Sequence, residues 1–156
     1  MKLILVLIAA LAALPAAAQK NLTGTATVID GDTIEIHGTR IRLHGIDAPE
    51  GRQTCTRGGE EWRCGPAAAN FLSDFIDRRT VACRHRDTDR YGRTVATCVV
   101  AGSDLGAVMV RQGYALAYRQ YGGGIYDGQE RAAERERRGI WAGEFVAPWD
   151  WRRGRR

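Results

Sequence analysis

Between Val28 and Glu50 the chain reads VIDGDTIEIHGTRIRLHGIDAPE, and this stretch limits the possible folds more than any other. Thr33 to Ile36 and Arg40 to Leu43 alternate polar and apolar residues, the period of half-buried strands. His37-Gly38-Thr39 is a short glycine-containing turn between them. The two strands therefore form a hairpin with an acidic turn at each outer end. Asp30-Gly31-Asp32-Thr33 precedes it and Asp47-Ala48-Pro49-Glu50 follows it. Closing the hairpin brings both acidic turns into one neighbourhood. Arg42 alternates with Ile41 and Leu43, so it faces away from the side those two bury.

Like charges placed close together destabilise each other, and a hard cation removes that cost. Carboxylate oxygens are the ligands that calcium and magnesium prefer. Taken singly, each acidic turn also reads as an ordinary connection, because Asp, Gly and Pro dominate turns. An EF-hand is excluded. If Asp30 were the first loop position, Ile41 would fall at the twelfth, where a bidentate Glu is required.

Residues 1–18 read as a signal peptide. Lys2 supplies the positive start, Leu3 to Leu14 is an apolar run, and Ala16-Ala17-Ala18 precedes Gln19 as a small-residue cleavage site. The run is shorter than the roughly 20 apolar residues of a membrane span. No later segment reads as transmembrane, so no membrane association is expected after cleavage; a retained anchor is the alternative. The expected organisation is a signal peptide over 1–18, one compact domain over 19–145 and a basic tail over 146–156. The expected destination is the periplasm or the medium.

Export decides how the four cysteines are read, since oxidising compartments favour disulfides. Cys55, Cys64, Cys83 and Cys98 contain no C-x-x-C spacing, which argues against zinc. Three pairings are possible, and the local one is simplest. Cys55–Cys64 would close CTRGGEEWRC, and Cys83–Cys98 would tie neighbouring strands. Each closure contributes about 3 kcal/mol in the loop-entropy description.

Gln19 to Ile29 reads as a first strand, and Arg79 to Arg86 and Thr94 to Val100 as two more. A helix is expected from Pro66 through PAAANFLSDFID, a second over DLGAVMVRQG with Ser103 or Asp104 as its cap, and a third over about Gln129 to Arg138. The third is mostly charged and reads as a solvated face, with Glu134 and Arg138 supporting each other. Ile140 and Trp141 look like the anchor behind it. Short strands with alternating apolar residues, interrupted by helices, favour a small curved antiparallel sheet or barrel with helices against it.

Two further stretches carry chemistry. The turn Asp87-Thr88-Asp89-Arg90-Tyr91-Gly92-Arg93 sets two guanidinium groups beside a stacking ring. Guanidinium is the planar donor suited to phosphate, and aromatic rings stack on bases. YALAYRQYGGG holds Tyr114, Tyr118 and Tyr121, which read as packing or as stacking surfaces. The end of the chain, PWDWRRGRR, interleaves tryptophan with arginine, and its last four residues read as a frayed cationic terminus. The net charge of +5 permits a polyanionic partner.

Taken in order, VIDGDT, RLHGIDAPE, DRYGR and VRQGYA resemble the thermonuclease family, whose best-known member is staphylococcal nuclease. The likeness runs from about Val28 to Trp141. It implies an α+β domain with a mostly β core, a five-stranded OB-fold barrel with three helices. It also implies a calcium-dependent phosphodiesterase acting on DNA and RNA, expected as a monomer. By the resemblance, Asp32 and Asp47 bind calcium through their carboxylates and Ala48 through its carbonyl. Glu50 orients or deprotonates the attacking water, and Arg42 and Arg93 clamp the phosphate. Arg90, Tyr91, Tyr118 and Tyr121 lie where the family contacts nucleotide. The chain departs from the family in its four cysteines, the expanded loop after Glu50 and the Arg-rich tail. A binding module of OB type that holds nucleic acid without cutting it is the alternative. It leaves Asp32, Asp47 and Glu50 unexplained, since they repel a phosphate backbone unless a cation intervenes.

Overall fold

A computed structural model describes residues 21–155; the expected signal peptide lies outside them. The first strand is broken at Ala26 into β1 (Leu22–Thr25) and β2 (Thr27–Asp30). The expected hairpin follows as β3 (Thr33–Ile36) and β4 (Thr39–Leu43), then β5 (Ile46–Asp47). The loop after Glu50 is itself a hairpin, β6 (Cys55–Arg57) and β7 (Glu60–Trp62). Helix α1 (Cys64–Ile76) leads to β8 (Thr80–Thr88), β9 (Thr94–Val100) and β10 (Ser103–Asp104). Helix α2 (Leu105–Arg111), β11 (Leu116–Ala117), a single turn α3 (Arg119–Gly122), α4 (Asp127–Arg135) and a 3-10 turn (Gly139–Ala142) follow, and the single turn α5 (Pro148–Trp151) comes last.

The main sheet runs β1-β8-β9-β4-β3-β2. Only one residue separates the two edge strands β1 and β2, so one bent segment pairs with β8 at one end and β3 at the other. The sheet thus curls round on itself as five strand segments, with β4 and β9 parallel and the other neighbours antiparallel. This is the expected α+β arrangement built on an OB-type barrel.

Alternation determines what goes inside. Ile34, Ile36, Ile41 and Leu43 from the hairpin are buried with Val81, Cys83, Ala96, Cys98 and Val100 from β8 and β9. Leu72 and Ile76 of α1 and Leu105, Met109 and Val110 of α2 cover this core. At about 25 cal/mol per Å2 of apolar surface, each such side chain contributes roughly 1.5–3 kcal/mol by leaving water. Asp104 caps α2 as expected, its Oδ1 accepting from the Ala107 N–H at 3.2 Å. Both local disulfides are present, and Cys83 lies directly across from Cys98 in the β8–β9 register.

Four readings need correction. Helix α1 begins at Cys64, two residues before Pro66, because its first turn is set by the disulfide and by close packing on the Glu50 turn. A Cβ on Gly65 would sit 1.8 Å from the Glu50 carbonyl oxygen, so only glycine fits there. Helix α4 starts at Asp127 and is not a purely solvated face: Glu130 and Ala133 are buried on it. Glu130 accepts from the Ala117 N–H at 2.9 Å and pairs with Arg119, while Arg138 pairs with Glu136 at 2.7 Å. The chain end is not frayed over Arg153–Arg155, where Gly154 N–H bonds the Trp151 carbonyl and Arg155 pairs with Asp150 at 3.0 Å.

A second, smaller core lies beside the barrel. Cys55, Cys64, Leu116 and Ile140 are its buried members, flanked by Trp62, Trp141, Phe145 and Trp149. Among the described residues, no helix is long and apolar enough to cross a membrane.

Candidate active site

The β3–β4 hairpin performs the juxtaposition expected of it. Leu43 N–H bonds the Asp32 carbonyl at 2.8 Å, and Ala48 N–H bonds Asp32 Oδ2 at 3.0 Å, which stitches the two acidic turns together. Asp30 Oδ1 accepts from the Asp32 N–H at 3.0 Å and tightens the first turn. Gly31 is obligatory in it, since a Cβ there would lie 2.7 Å from the Ala48 Cβ and 2.8 Å from the Ala68 Cβ.

Arg42 bridges the two turns from the outer side of β4. Its Nη1 is 2.9 Å from Asp32 Oδ1 and its Nη2 is 2.7 Å from Asp47 Oδ1. Asp47 has no exposed side-chain surface and Asp32 very little. Burial pushes the Asp32 carboxyl up to about 7; Arg42 opposes this, and the charges of Asp30 and Asp47 add to it. Burial would lower the Arg42 guanidinium, but Asp32 and Asp47 outweigh it and hold the group above its ordinary value. The cluster is therefore short of positive charge even with Arg42 in place.

Glu50 stands on the second turn, and the buried Gln53 holds its backbone, with Oε1 accepting from the Glu50 N–H at 3.1 Å. Across the cleft, Arg93 is fixed by Asp89. Its Nε donates to Asp89 Oδ2 at 2.7 Å and its N–H to Asp89 Oδ1 at 2.9 Å. Slight burial works against ionisation of Asp89, but these bonds hold its carboxyl below the usual range. Arg90 and Arg93 both lie over the Tyr91 ring, at 4.9 and 5.7 Å from its centroid. Tyr118 packs against Tyr121 with ring centroids 5.2 Å apart.

One cleft of about 690 Å3 takes in Asp30, Asp32, Arg42, Ala48 and Glu50 on one side and Arg90, Tyr91 and Arg93 on another. Tyr118 and Tyr121 also line it. Asp47 is the one expected site residue outside the lining; it sits beneath the surface, reached through Arg42. Among the described residues, no three His, Cys, Asp or Glu side chains are set as a ready-made metal cage; guanidinium groups take up the oxygens.

Three residues of the site were not foreseen. Gln53 gives no sequence signal, since a lone glutamine in a polar loop looks solvated. Trp149 stacks on Tyr118 with centroids 5.5 Å apart and planes within 7°. Arg152 reaches Asp47 at 2.8 Å and Glu50 at 2.5 Å. Hydrogen bonds to Asp47 raise the Arg152 guanidinium further above its ordinary value; partial burial opposes this, and Glu50 reinforces it. Their only sequence signal was the interleaving of tryptophan and arginine in the tail.

The profile of the family described as staphylococcal nuclease homologue matches residues 40–143, which include Arg42, Asp47, Glu50 and Arg93. The chain belongs to that family. Among similar proteins, the succinoglycan biosynthesis protein ExoI of Rhizobium meliloti (strain 1021) is 39% identical over 129 residues, covering 81% of this chain and 68% of that protein. The micrococcal nuclease of Shigella flexneri is 34% identical over 144 residues, covering 81% of this chain and 77% of that protein. An uncharacterized endonuclease of Escherichia coli O157:H7 is 33% identical over 132 residues, covering 80% of each chain. The family profile begins at residue 40, so Asp30 and Asp32 fall before it.

Proposed function

We propose that this chain is an exported, calcium-dependent nuclease that hydrolyses phosphodiester bonds of DNA and RNA. Membership of a nuclease family supports the reaction class. The observation that carries the finer reading is the bridging of Asp32 and Asp47 by the single guanidinium of Arg42, inside a cleft that Glu50 and Arg93 also face. Two disulfides favour an oxidising compartment, either periplasm or medium.

The donor set fits a hard divalent ion. Asp30, Asp32 and Glu50 are oxygen donors lining one end of the cleft, with Asp47 beneath them. Burial above all, and then the charges of Asp30 and Asp47, push the Asp32 carboxyl up. Asp32, Asp47 and the carbonyl of Ala48 would hold calcium. When bound, it neutralises charge that builds on the phosphoryl oxygens. The chain's own side chains supply the rest. Arg42 and Arg93 offer planar donors to those oxygens, more strongly as charge develops in the transition state. Glu50 holds or takes the proton of the attacking water. Arg90, Tyr91, Tyr118 and Tyr121 offer cationic and stacking surface to the nucleotides on either side.

The test is purified protein against single-stranded DNA, duplex DNA and RNA, with calcium, magnesium or a chelator. Cleavage of DNA and RNA with calcium, stopped by the chelator, is expected. Tight binding with no cleavage under any divalent ion would instead make the chain a non-catalytic nucleic-acid-binding module.

A further inference from the structure

The two additions to the barrel, the β6–β7 hairpin and the C-terminal segment, form one unit. Thr56 and Glu144 exchange both backbone hydrogen bonds, each at 2.8 Å. Gln53, which already holds the Glu50 turn, donates its Nε2 to the Val146 carbonyl at 2.7 Å. Trp149 stacks on Tyr118 and fixes the direction of α5. The next residue after that turn, Arg152, is thereby delivered into the acidic cluster.

Its contacts there are extensive. Nη1 is 3.0 Å from Asp47 Oδ1, Nη2 is 2.8 Å from Asp47 Oδ2, and Nη1 is 2.5 Å from Glu50 Oε1. Arg42 already donates to Asp47 Oδ1 at 2.7 Å. Both oxygens of a fully buried carboxylate are thus committed to guanidinium groups. Arg42 stands on β4 within the sheet, and its side chain is 19% exposed. Arg152 follows a single helical turn, and its side chain is 39% exposed, the more open of the two.

We propose that Arg152 sets the affinity of this cluster for its divalent cation, as a resident positive charge that the ion must displace from Asp47. The inference rests on the reading of Asp32 and Asp47 as the ion's ligands. A bidentate guanidinium competes with a divalent ion for the Asp47 oxygens, and the two positive charges repel each other at contact distance. The hairpin and the tail thereby convert an open acidic cluster into one that resists weak or dilute cations.

Calorimetric titration of the protein with calcium chloride, without substrate, measures this directly. Arg152→Ala and Arg152→Gln should each bind calcium on the order of tenfold more tightly than the parent chain, the size of one charge-assisted pair. Two variants are used so that loss of tail packing in one is recognised, with thermal melts checking that both fold. Asp47→Asn serves as the control for the ligand reading and should lose the binding. If Asp47→Asn loses binding while both Arg152 variants bind no more tightly than the parent, the role of Arg152 is overturned and the calcium reading survives. If the parent and all variants take up no calcium, both fall.

Discussion

Asp32 should make the metal-free protein less stable as pH rises, against the usual behaviour of carboxylates. Its carboxyl ionises near 7 in the folded chain and near 3.8 when exposed, because it is buried beside Asp30 and Asp47 and Arg42 only partly compensates. The folded state therefore holds this proton more tightly than the unfolded state. The associated stability is fully present below about pH 3.8 and is lost as pH rises through about 7. At about 1.4 kcal/mol per pH unit, the whole change is about 4 kcal/mol, of which about 3 kcal/mol falls between roughly pH 4.5 and pH 8. Other groups titrate over the same range, so the quantity to measure is a difference. Urea unfolding of the parent and of Asp32→Asn, in chelator at both pH values, isolates it. The parent should lose about 3 kcal/mol relative to the variant on going from the lower to the higher pH. Calcium should shrink that difference, because it favours the ionised form. Identical pH dependence in the two proteins would refute the reasoning.

Gly65→Ala places a Cβ 1.8 Å from the Glu50 carbonyl oxygen, so α1 or the Glu50 turn must move. A loss of about 2 kcal/mol or more in unfolding free energy, with impaired cleavage, is expected; a variant as stable and active as the parent contradicts the packing described. Asp89→Ala removes the two bonds that fix Arg93, along with a turn contact to the Tyr91 N–H at 2.9 Å. Steady-state cleavage should fall roughly tenfold, since a loosened arginine loses its aim at the phosphate, while unfolding free energy falls by only about 1 kcal/mol.

The parts of the fold that could be read in the sequence were those governed by local periodicity. Thr33–Ile36 and Thr39–Leu43 alternate because one face is buried, and that alternation alone placed Arg42 opposite the core. Asp104 and the helix after it followed from capping chemistry. The acidic turns could be brought together on paper because a hairpin joins them. The rest depends on contacts far apart in the chain. The start of α1 is fixed by a disulfide and by a glycine pressed on Glu50, neither of which has a helical signature. The α3 and α5 segments are single turns, too short for a period of 3.6 to register. Glu130 looked solvated because its partner, the Ala117 N–H, is 13 residues away. Arg152 lies 105 residues from Asp47, so nothing local distinguishes it from the solvent-facing arginines around it.

The central claim is that Glu50, beside Asp32 and Asp47 and opposite Arg93, acts on the water that attacks a phosphodiester. Single-turnover cleavage of end-labelled single-stranded DNA in saturating calcium, comparing the parent with Glu50→Gln, tests it most directly. Loss of a positioned group of this kind typically costs on the order of 100-fold or more, with the fold and calcium binding retained. A Glu50→Gln variant that cuts at the parent's rate would contradict the account.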